Sequence, residues 1–366
     1  MDSTLTPTTP ARTTGNNAPA STEWMGSLWA AIEAAMVESL QTPDEDLVGA
    51  SWGDARSLVT EFALRPAKRI RPMLTVIGHQ LATGVSDLSP DALRGGVAVE
   101  LLHTFLLIHD DVADRAETRR AKPSLHKALG AGRAGDNLAI VLGDHLFARS
   151  VEVMLRAGSR FSVEATLSLL QACRFTAAGQ LLDLQLVSTP LPKVTLFQAL
   201  KVAHLKTARY SFIAPLVCGA ILGGGSAELK LGLERIGRHA GLAFQLQDDL
   251  LGLFGIDATL GKSGAADYCE GKKTFPVVAA FARADARARA RLERLWARQD
   301  RGPDAIASAR LEVERLGGRE ATERVIARSI RAAERVLDSL PAPEVPRLRL
   351  KMLLSHLTHP NHRKCL

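Results

Sequence analysis

Three carboxylates, Asp110, Asp111 and Asp114, follow the apolar run Phe105–Ile108 in the stretch LLHTFLLIHDDVADRAETRR. On a helix turning 100° per residue they fall within roughly a 100° sector, and His103 lies about 20° from Asp110. Carboxylates crowded on one face repel one another and are pushed toward protonation, so they need a counter-charge. Oxygen-only donors suit a hard cation such as Mg²⁺, which keeps much of its water and is shared with substrate phosphates. The competing reading is a solvated acidic surface. The continuous apolar run before the motif speaks against it, because a wet helix carries a wider polar stripe.

The segment GLAFQLQDDLLGLFG repeats the arrangement far along the chain: Asp248 and Asp249 again end an apolar run, and Gln245 precedes Asp248 by one turn. Two like-charged clusters embedded in two apolar helices are improbable as surface decoration. A metal–diphosphate site between facing helices accounts for both. Cations stand nearby in the sequence. Arg119 and Arg120 follow the first cluster, and two adjacent guanidinium forks facing different ways can grip two different anions. Lys68 and Arg71 lie at a helix entrance, where free N–H groups favour an anion, or else they are ordinary surface charge. Lys206 and Thr207, in KTARYSF, sit amid apolar neighbours, where a lysine either snorkels outward or meets an anion inside. Gln180 and Asp183 share one helical face. Gly261-Lys262-Ser263 and Glu270-Gly271-Lys272-Lys273-Thr274 form a loop that can close over phosphates, though the first glycine of a P-loop is missing.

The elements that must position these groups read as helix after helix. Three- and four-residue apolar spacing marks Trp24–Leu40 and Ala55–Leu64. Pro72 opens a helix that Gly84 stops. Asp91–Asp114 is the long helix of the first motif, followed by Asn137–Leu155, Phe161–Leu186, Leu196–Leu222 and Leu229–Phe254, the last carrying the second motif. Amphipathic helices fill Phe275–Leu340, broken at Gly302-Pro303 and Gly317-Gly318, and Val345–Leu357 closes the chain before a polar tail. The expected organisation is a tail over 1–21 that lacks order, one all-helical domain over 22–358 and a polar end over 359–366.

Composition agrees. Of 366 residues 46% are hydrophobic and only 5% aromatic, a profile of helices with no call for strands. The net charge of +7 invites nucleic acid, but no helix-turn-helix, zinc or aromatic-stacking signature accompanies it, and Arg283–Arg301 reads as a solvated amphipathic helix. The four cysteines lack CxxC spacing, which fits a reducing compartment and excludes a zinc or disulfide framework. Met1–Ser21 has no apolar block, so it is neither a secretory leader nor a membrane span.

Taken together the motifs resemble those of the trans-isoprenyl diphosphate synthases, the polyprenyl synthetase family, over roughly Ser51 to Leu357, and look most like actinobacterial short-chain members. The resemblance implies an all-α isoprenoid synthase fold, a single bundle of antiparallel helices around a central active-site cavity. It implies head-to-tail condensation of isopentenyl diphosphate with an allylic diphosphate, Mg²⁺ as several ions per site with Mn²⁺ as a substitute, a homodimer and a cytoplasmic location. Carried over by position, Asp110, Asp111, Asp114, Asp248 and Asp249 are the metal ligands. Arg119, Lys206 and Lys262 grip the allylic diphosphate, and Lys68, Arg71, His103 and Arg120 the isopentenyl diphosphate. Thr207 and Gln245 lie near the reacting carbons, with Gln180 and Asp183 beside the metals. Two departures stand out: Gly252 replaces the third carboxylate of the second motif, and Ala67 stands where a glycine is usual.

Below the first motif Phe105, with Leu106 beside it, reads either as an aromatic floor to the cavity or as plain core packing, and a floor there favours short products. With no two-residue insertion in DDVAD, this leans to a C20 product over C15. The rivals are a class I terpene cyclase, which needs an Asn/Ser/Glu metal triad in place of Asp248-Asp249, and a catalytically silent subunit of a heteromeric synthase. A third is an active enzyme whose leader docks on a partner such as a protein shell.

Overall fold

The computed structural model describes residues 19–41, 49–130, 132–255 and 265–358. Among these, helix follows helix: α1 (Pro19–Gln41), α2 (Ala50–Ala63), α3 (Ile70–Thr83) and α4 (Pro90–Ala113) lead to a two-stranded ribbon, β1 (Thr118–Arg119) and β2 (Lys122–Pro123). Next come α5 (Leu125–Ala128), α6 (Gly132–Leu155), α7 (Ser162–Ser188) and α8 (Leu196–Val202). A π-helical stretch, Ala203–Ile213, links α8 to α9 (Ala214–Leu222), and α10 (Ala227–Phe254) follows. The remainder is α11 (Ala266–Cys269), α12 (Phe275–Arg283), α13 (Ala286–Ala297), α14 (Pro303–Arg315), α15 (Gly318–Asp338) and α16 (Glu344–Thr358). The fold is the all-α one that the composition calls for. Among the described residues the antiparallel ribbon, pairing Thr118 with Pro123 and Arg119 with Lys122, is the one departure from an all-helical reading.

The start of α4 follows its local chemistry. Ser89 accepts from the Asp91 N–H, and Pro90 fills the first helical position, where no N–H is missed. Its middle is buried, with Leu101, Leu102 and Ile108 all close to zero exposure. Each of these side chains contributes roughly 1.5–3 kcal/mol by leaving water. The first acidic motif therefore sits at the C-terminal end of a helix fixed by its own core. The second motif likewise lies in the last turns of α10. Both stand at the negative pole of a helix dipole, where carboxylates are disfavoured unless cations face them.

Helix α3 is buried almost end to end and is stopped by Gly84, whose φ of 76° is left-handed as a glycine cap allows. Its entrance is fixed from α1 and α4. The wholly buried Arg69 donates to Glu33 at 2.5 Å and to Glu100 at 2.9 Å, and the Trp29 indole donates to the Ala67 carbonyl at 3.0 Å. Two apolar helical windows, in Pro90–Ala113 and Leu196–Leu222, are long enough to cross a bilayer, yet 67% and 72% of them are buried inside the protein. Burial against other helices explains their hydropathy.

The expected helix Leu196–Leu222 is interrupted by the π stretch. A π turn is wider than an α turn and is retained mainly where a side chain must be re-aimed. Here it carries Lys206 and Thr207. Gly179 of α7 makes the approach possible, because a Cβ there would stand 2.5 Å from the Lys206 backbone nitrogen.

Candidate active site

Helices α4, α7, α10 and the π stretch bring the first acidic motif into a chain of ion pairs. The Gln180 amide donates to Asp110 at 3.0 Å. Lys206 Nζ stands 3.1 Å from Asp110 Oδ1 and 2.8 Å from Asp183 Oδ2. Burial opposes ionisation of Asp110, but Lys206, Lys272 and Arg119 outweigh it and hold its carboxyl down at about 2. Lys206 is driven the other way: burial disfavours its charge, and Asp110 and Asp183 more than restore it. Asp111, buried, takes both donors of an Arg119 fork, with Nε at 2.9 Å and 3.1 Å from its two oxygens. Asp114 caps α4 and pairs with Lys272 Nζ at 2.8 Å. Lys272 also meets Glu270 at 2.5 Å, and these carboxylates, with Asp267 and Asp183, raise it despite its burial.

The second motif opens onto the same place. A cavity of about 80 Å³ is lined by Asp183, Lys206, Gln245, Asp249, Asp267 and Lys272, with Thr274 and the apolar wall of α8. The Thr207 hydroxyl donates to Gln245 Oε1 at 2.5 Å, and the Gln245 amide donates onward to Asp249 at 2.8 Å. Asp249 is buried, and desolvation with Asp267 and then Asp248 beside it pushes its carboxyl up to about 8. Asp248 is half-buried one residue earlier. At Gly252 a Cβ would run into the carboxylate of Asp267, so the missing third carboxylate of the motif has another in its place.

A different charge balance rules on the far side of Arg119. Arg71 Nη2 donates to Ser211 Oγ at 2.9 Å and Tyr210 OH at 3.3 Å, and its guanidinium lies 4.9 Å over the Tyr210 ring. His103 packs against the same ring at 5.9 Å. Burial, then Arg71, Arg120 and Arg119, push His103 well below the ordinary histidine range. Burial likewise drops Arg120 to about 10, and although Glu100 opposes the shift, Arg69, Arg71 and Arg119 reinforce it. Buried Arg71 Nε and His103 Nδ1 have no hydrogen-bond partner among the described residues. Cations that weaken one another in this way favour an incoming anion. Lys68 is half-buried in the turn before α3. Lys262 lies outside the described residues.

Phe105 turns toward α6, its ring 5.2 Å from Phe147 and 4.6 Å from His109. Leu106, one turn before Asp110 on the same face, is partly buried against the cluster built on α4, α7 and α9, which Phe105 also borders.

Several of these partners carry little signal in the sequence. Lys272 is visible in the sequence only as part of the Glu270–Thr274 loop that can close over phosphates, with nothing to tie it to Asp114. Asp267 lies between a glycine-rich loop and the Lys272-Lys273 pair. Tyr210 and Ser211 are visible only as later members of the KTARYSF stretch. The donor set fits a hard divalent cation: all candidate ligands are carboxylate oxygens, and the buried group around Asp249 resists ionisation until positive charge arrives. Among the described residues no three acidic, His or Cys side chains are gathered tightly enough to hold a metal unaided.

Comparison with known proteins points the same way. The polyprenyl synthetase family model matches residues 55–313. The chain is 35% identical over 275 residues to a short chain isoprenyl diphosphate synthase of Methanothermobacter thermautotrophicus, covering 75% of this chain and 80% of that protein. It is 33% identical over 293 residues, 79% of each chain, to a (2E,6E)-farnesyl diphosphate synthase of Mycobacterium tuberculosis. Its structure is similar to that of a geranylgeranyl pyrophosphate synthase from Corynebacterium glutamicum complexed with isoprenyl diphosphate and magnesium, with a TM-score of 0.82 at 29% identity over 92% of this chain and 99% of that one.

Proposed function

The chain belongs to the polyprenyl synthetase family of trans-prenyl diphosphate synthases, and on that footing we propose that it joins isopentenyl diphosphate head-to-tail to an allylic diphosphate in a Mg²⁺-dependent reaction. The product is a short all-trans prenyl diphosphate, C20 ahead of C15. One observation carries the reading: two anion seats of opposite character meet at Arg119. On one side Lys206 and Lys272 are interleaved with Asp110, Asp114, Asp183 and Asp249. On the other, Arg71, Arg120 and His103 crowd together with few carboxylates and two orphaned nitrogens. The first suits a diphosphate that arrives with divalent cations, the second a diphosphate that arrives without them.

Asp110, Asp111, Asp114, Asp248 and Asp249 are the ligands of this reading. They would hold Mg²⁺, which when bound would supply Lewis-acid neutralisation of charge on the departing allylic diphosphate. Lys206, Lys272 and Arg119 aim fixed positive charge at the same oxygens, which lowers the barrier to breaking the allylic C–O bond without reorganisation. Gln180 and Asp183 orient Asp110 and Lys206. The Thr207–Gln245 pair presents oxygen dipoles where a carbocation forms. The double bond of isopentenyl diphosphate, whose diphosphate end is held by Lys68, Arg71, His103 and Arg120, supplies the electron pair of the new C–C bond, and the released allylic diphosphate accepts the proton then lost. Apolar walls keep water from the cation.

A homodimer is part of the proposal. On α6 Leu138 and Val141 are 50% and 62% exposed, and on α7 Leu167 and Leu181 are 62% and 59% exposed. Adjacent apolar faces of this kind are what a second copy covers. A class I terpene cyclase has no use for the second, carboxylate-poor seat. Residues 1–18 of the leader that a shell-docking role would use lie outside the described residues.

The test is to incubate purified protein with Mg²⁺, isopentenyl diphosphate and, separately, geranyl and farnesyl diphosphate, and to size the products. All-trans C20 diphosphate supports the proposal. Cyclic hydrocarbon, or no consumption of isopentenyl diphosphate, contradicts it.

A further inference from the structure

The ribbon that carries Arg119 and Arg120 is built against the preferences of its own residues. Thr118 pairs with Pro123 and Arg119 with Lys122, so Arg120 and Ala121 form a two-residue turn. Both have positive φ, 55° and 59°. This is the type I′ arrangement, which glycine, asparagine and aspartate adopt readily and which arginine and alanine resist. A ribbon of two-residue strands cannot impose such a turn by itself.

What imposes it is Arg65, in the turn after α2. Its side chain is only 4% exposed. Nη1 donates to the carbonyls of Arg119 at 3.1 Å and Pro123 at 2.8 Å, one from each strand. Nε and Nη2 donate to Glu61 at 3.0 Å and 2.9 Å, and the guanidinium lies 4.7 Å over the Phe62 ring. Glu61 also meets Lys122 of the second strand at 2.6 Å. In return, Arg120 Nη1 donates to the Arg65 carbonyl at 3.1 Å. Strained backbone persists only where its surroundings over-determine it, and a planar fork with both edges engaged does that.

We propose that Arg65 is a positioning residue for the second diphosphate seat: it clamps the Arg119–Lys122 ribbon so that the Arg120 guanidinium is held ready for isopentenyl diphosphate. This rests on the reading of that seat given above. The allylic side depends on it less, because the Arg119 guanidinium is independently held by Asp111. The clamp also bears on Ala67, since Arg65 stiffens the α2–α3 turn that lacks a glycine there.

The test is steady-state kinetics on Arg65→Met, which keeps an apolar stem against Phe62. We expect KM for isopentenyl diphosphate to rise about tenfold or more while KM for the allylic primer stays within about twofold. Adding Ala121→Gly, which favours the left-handed turn without help, is expected to recover much of the loss, a rescue that general destabilisation does not produce. Should Arg65→Met fail to fold, Glu61→Gln loosens the same fork and is expected to shift KM in the same direction, by less. Arg120→Met separates the two layers. If it raises KM for isopentenyl diphosphate while the Arg65 and Glu61 variants do not, the clamp is wrong and the seat stands. If it leaves that KM unchanged, the seat and the clamp fall together. Parallel loss on both substrates with no rescue by Ala121→Gly also overturns the clamp.

Discussion

Lys272 Nζ lies 2.8 Å from Asp114 Oδ2, joining the end of the first acidic helix to a loop beyond the second. With Lys206 on Asp110 and Arg119 on Asp111, each carboxylate of the first motif faces a cation that the protein itself supplies. The proposed ligands and the proposed diphosphate donors thus neutralise one another at rest. A metal ion alone must displace a cation, and a diphosphate alone must displace a carboxylate. Arriving together, they exchange internal ion pairs for a metal–diphosphate cluster of similar net charge.

Binding of the two is therefore expected to be cooperative. Calorimetry should find Mg²⁺ affinity at least about tenfold higher with an unreactive allylic thiodiphosphate present, and the thiodiphosphate should gain equally from Mg²⁺. Independent affinities contradict this exchange.

Asp110 is the carboxylate on which Gln180 and Lys206 both converge. Asp110→Ala should lower turnover at least about a hundredfold, the usual scale for removing one transition-state stabiliser. Circular dichroism should remain that of the parent. Near-normal turnover removes Asp110 from the proposed ligands.

Product length should answer to Leu106 more than to Phe105. Leu106 is one turn before Asp110 on its own face, whereas the Phe105 ring rests on Phe147. Leu106→Ala is expected to add at least one isoprene unit, read by chromatography of dephosphorylated products. Phe105→Ala should lengthen them less and, its ring being only partly buried, cost about 1–2 kcal/mol in unfolding free energy. A longer product from Phe105→Ala alone reverses the assignment.

The second seat predicts a pH effect. Burial, with Arg71, Arg120, Arg119 and Arg69, holds His103 well below its ordinary value. Below about pH 6.5 the unfolded chain binds a proton there that the folded chain refuses, so acidification through that window removes stability. Denaturant unfolding at pH 7.5 and 5.5 should show a larger loss for the parent than for His103→Asn. Equal losses contradict the assignment.

The two acidic motifs were legible because carboxylates inside apolar helices violate the pattern of everything around them. The helices that carry them were legible from apolar spacing, and α3 from Pro72 in its first turn and Gly84 at its stop. The π stretch was not, since an i→i+5 bond needs no special residue and shows only in where Lys206 and Thr207 are aimed. Arg65 was hidden, and Lys272 was visible only as part of a loop that can close over phosphates, for another reason. Their meaning lies in partners distant in sequence, the ribbon carbonyls and Asp114, and a lone basic residue in a turn looks like surface. Likewise Gly252 reads as a lost ligand until Asp267 is seen against it.

The central claim is that both acidic motifs hold metal against one allylic diphosphate. The most direct measurement is anomalous diffraction from crystals grown with Mn²⁺ and an allylic thiodiphosphate. The account predicts manganese peaks within about 2–2.5 Å of oxygens of both Asp110 and Asp248 or Asp249, bridged by the same diphosphate, with Lys206 and Lys272 turned onto its oxygens. Manganese at one motif only, or a diphosphate seated away from both, contradicts it.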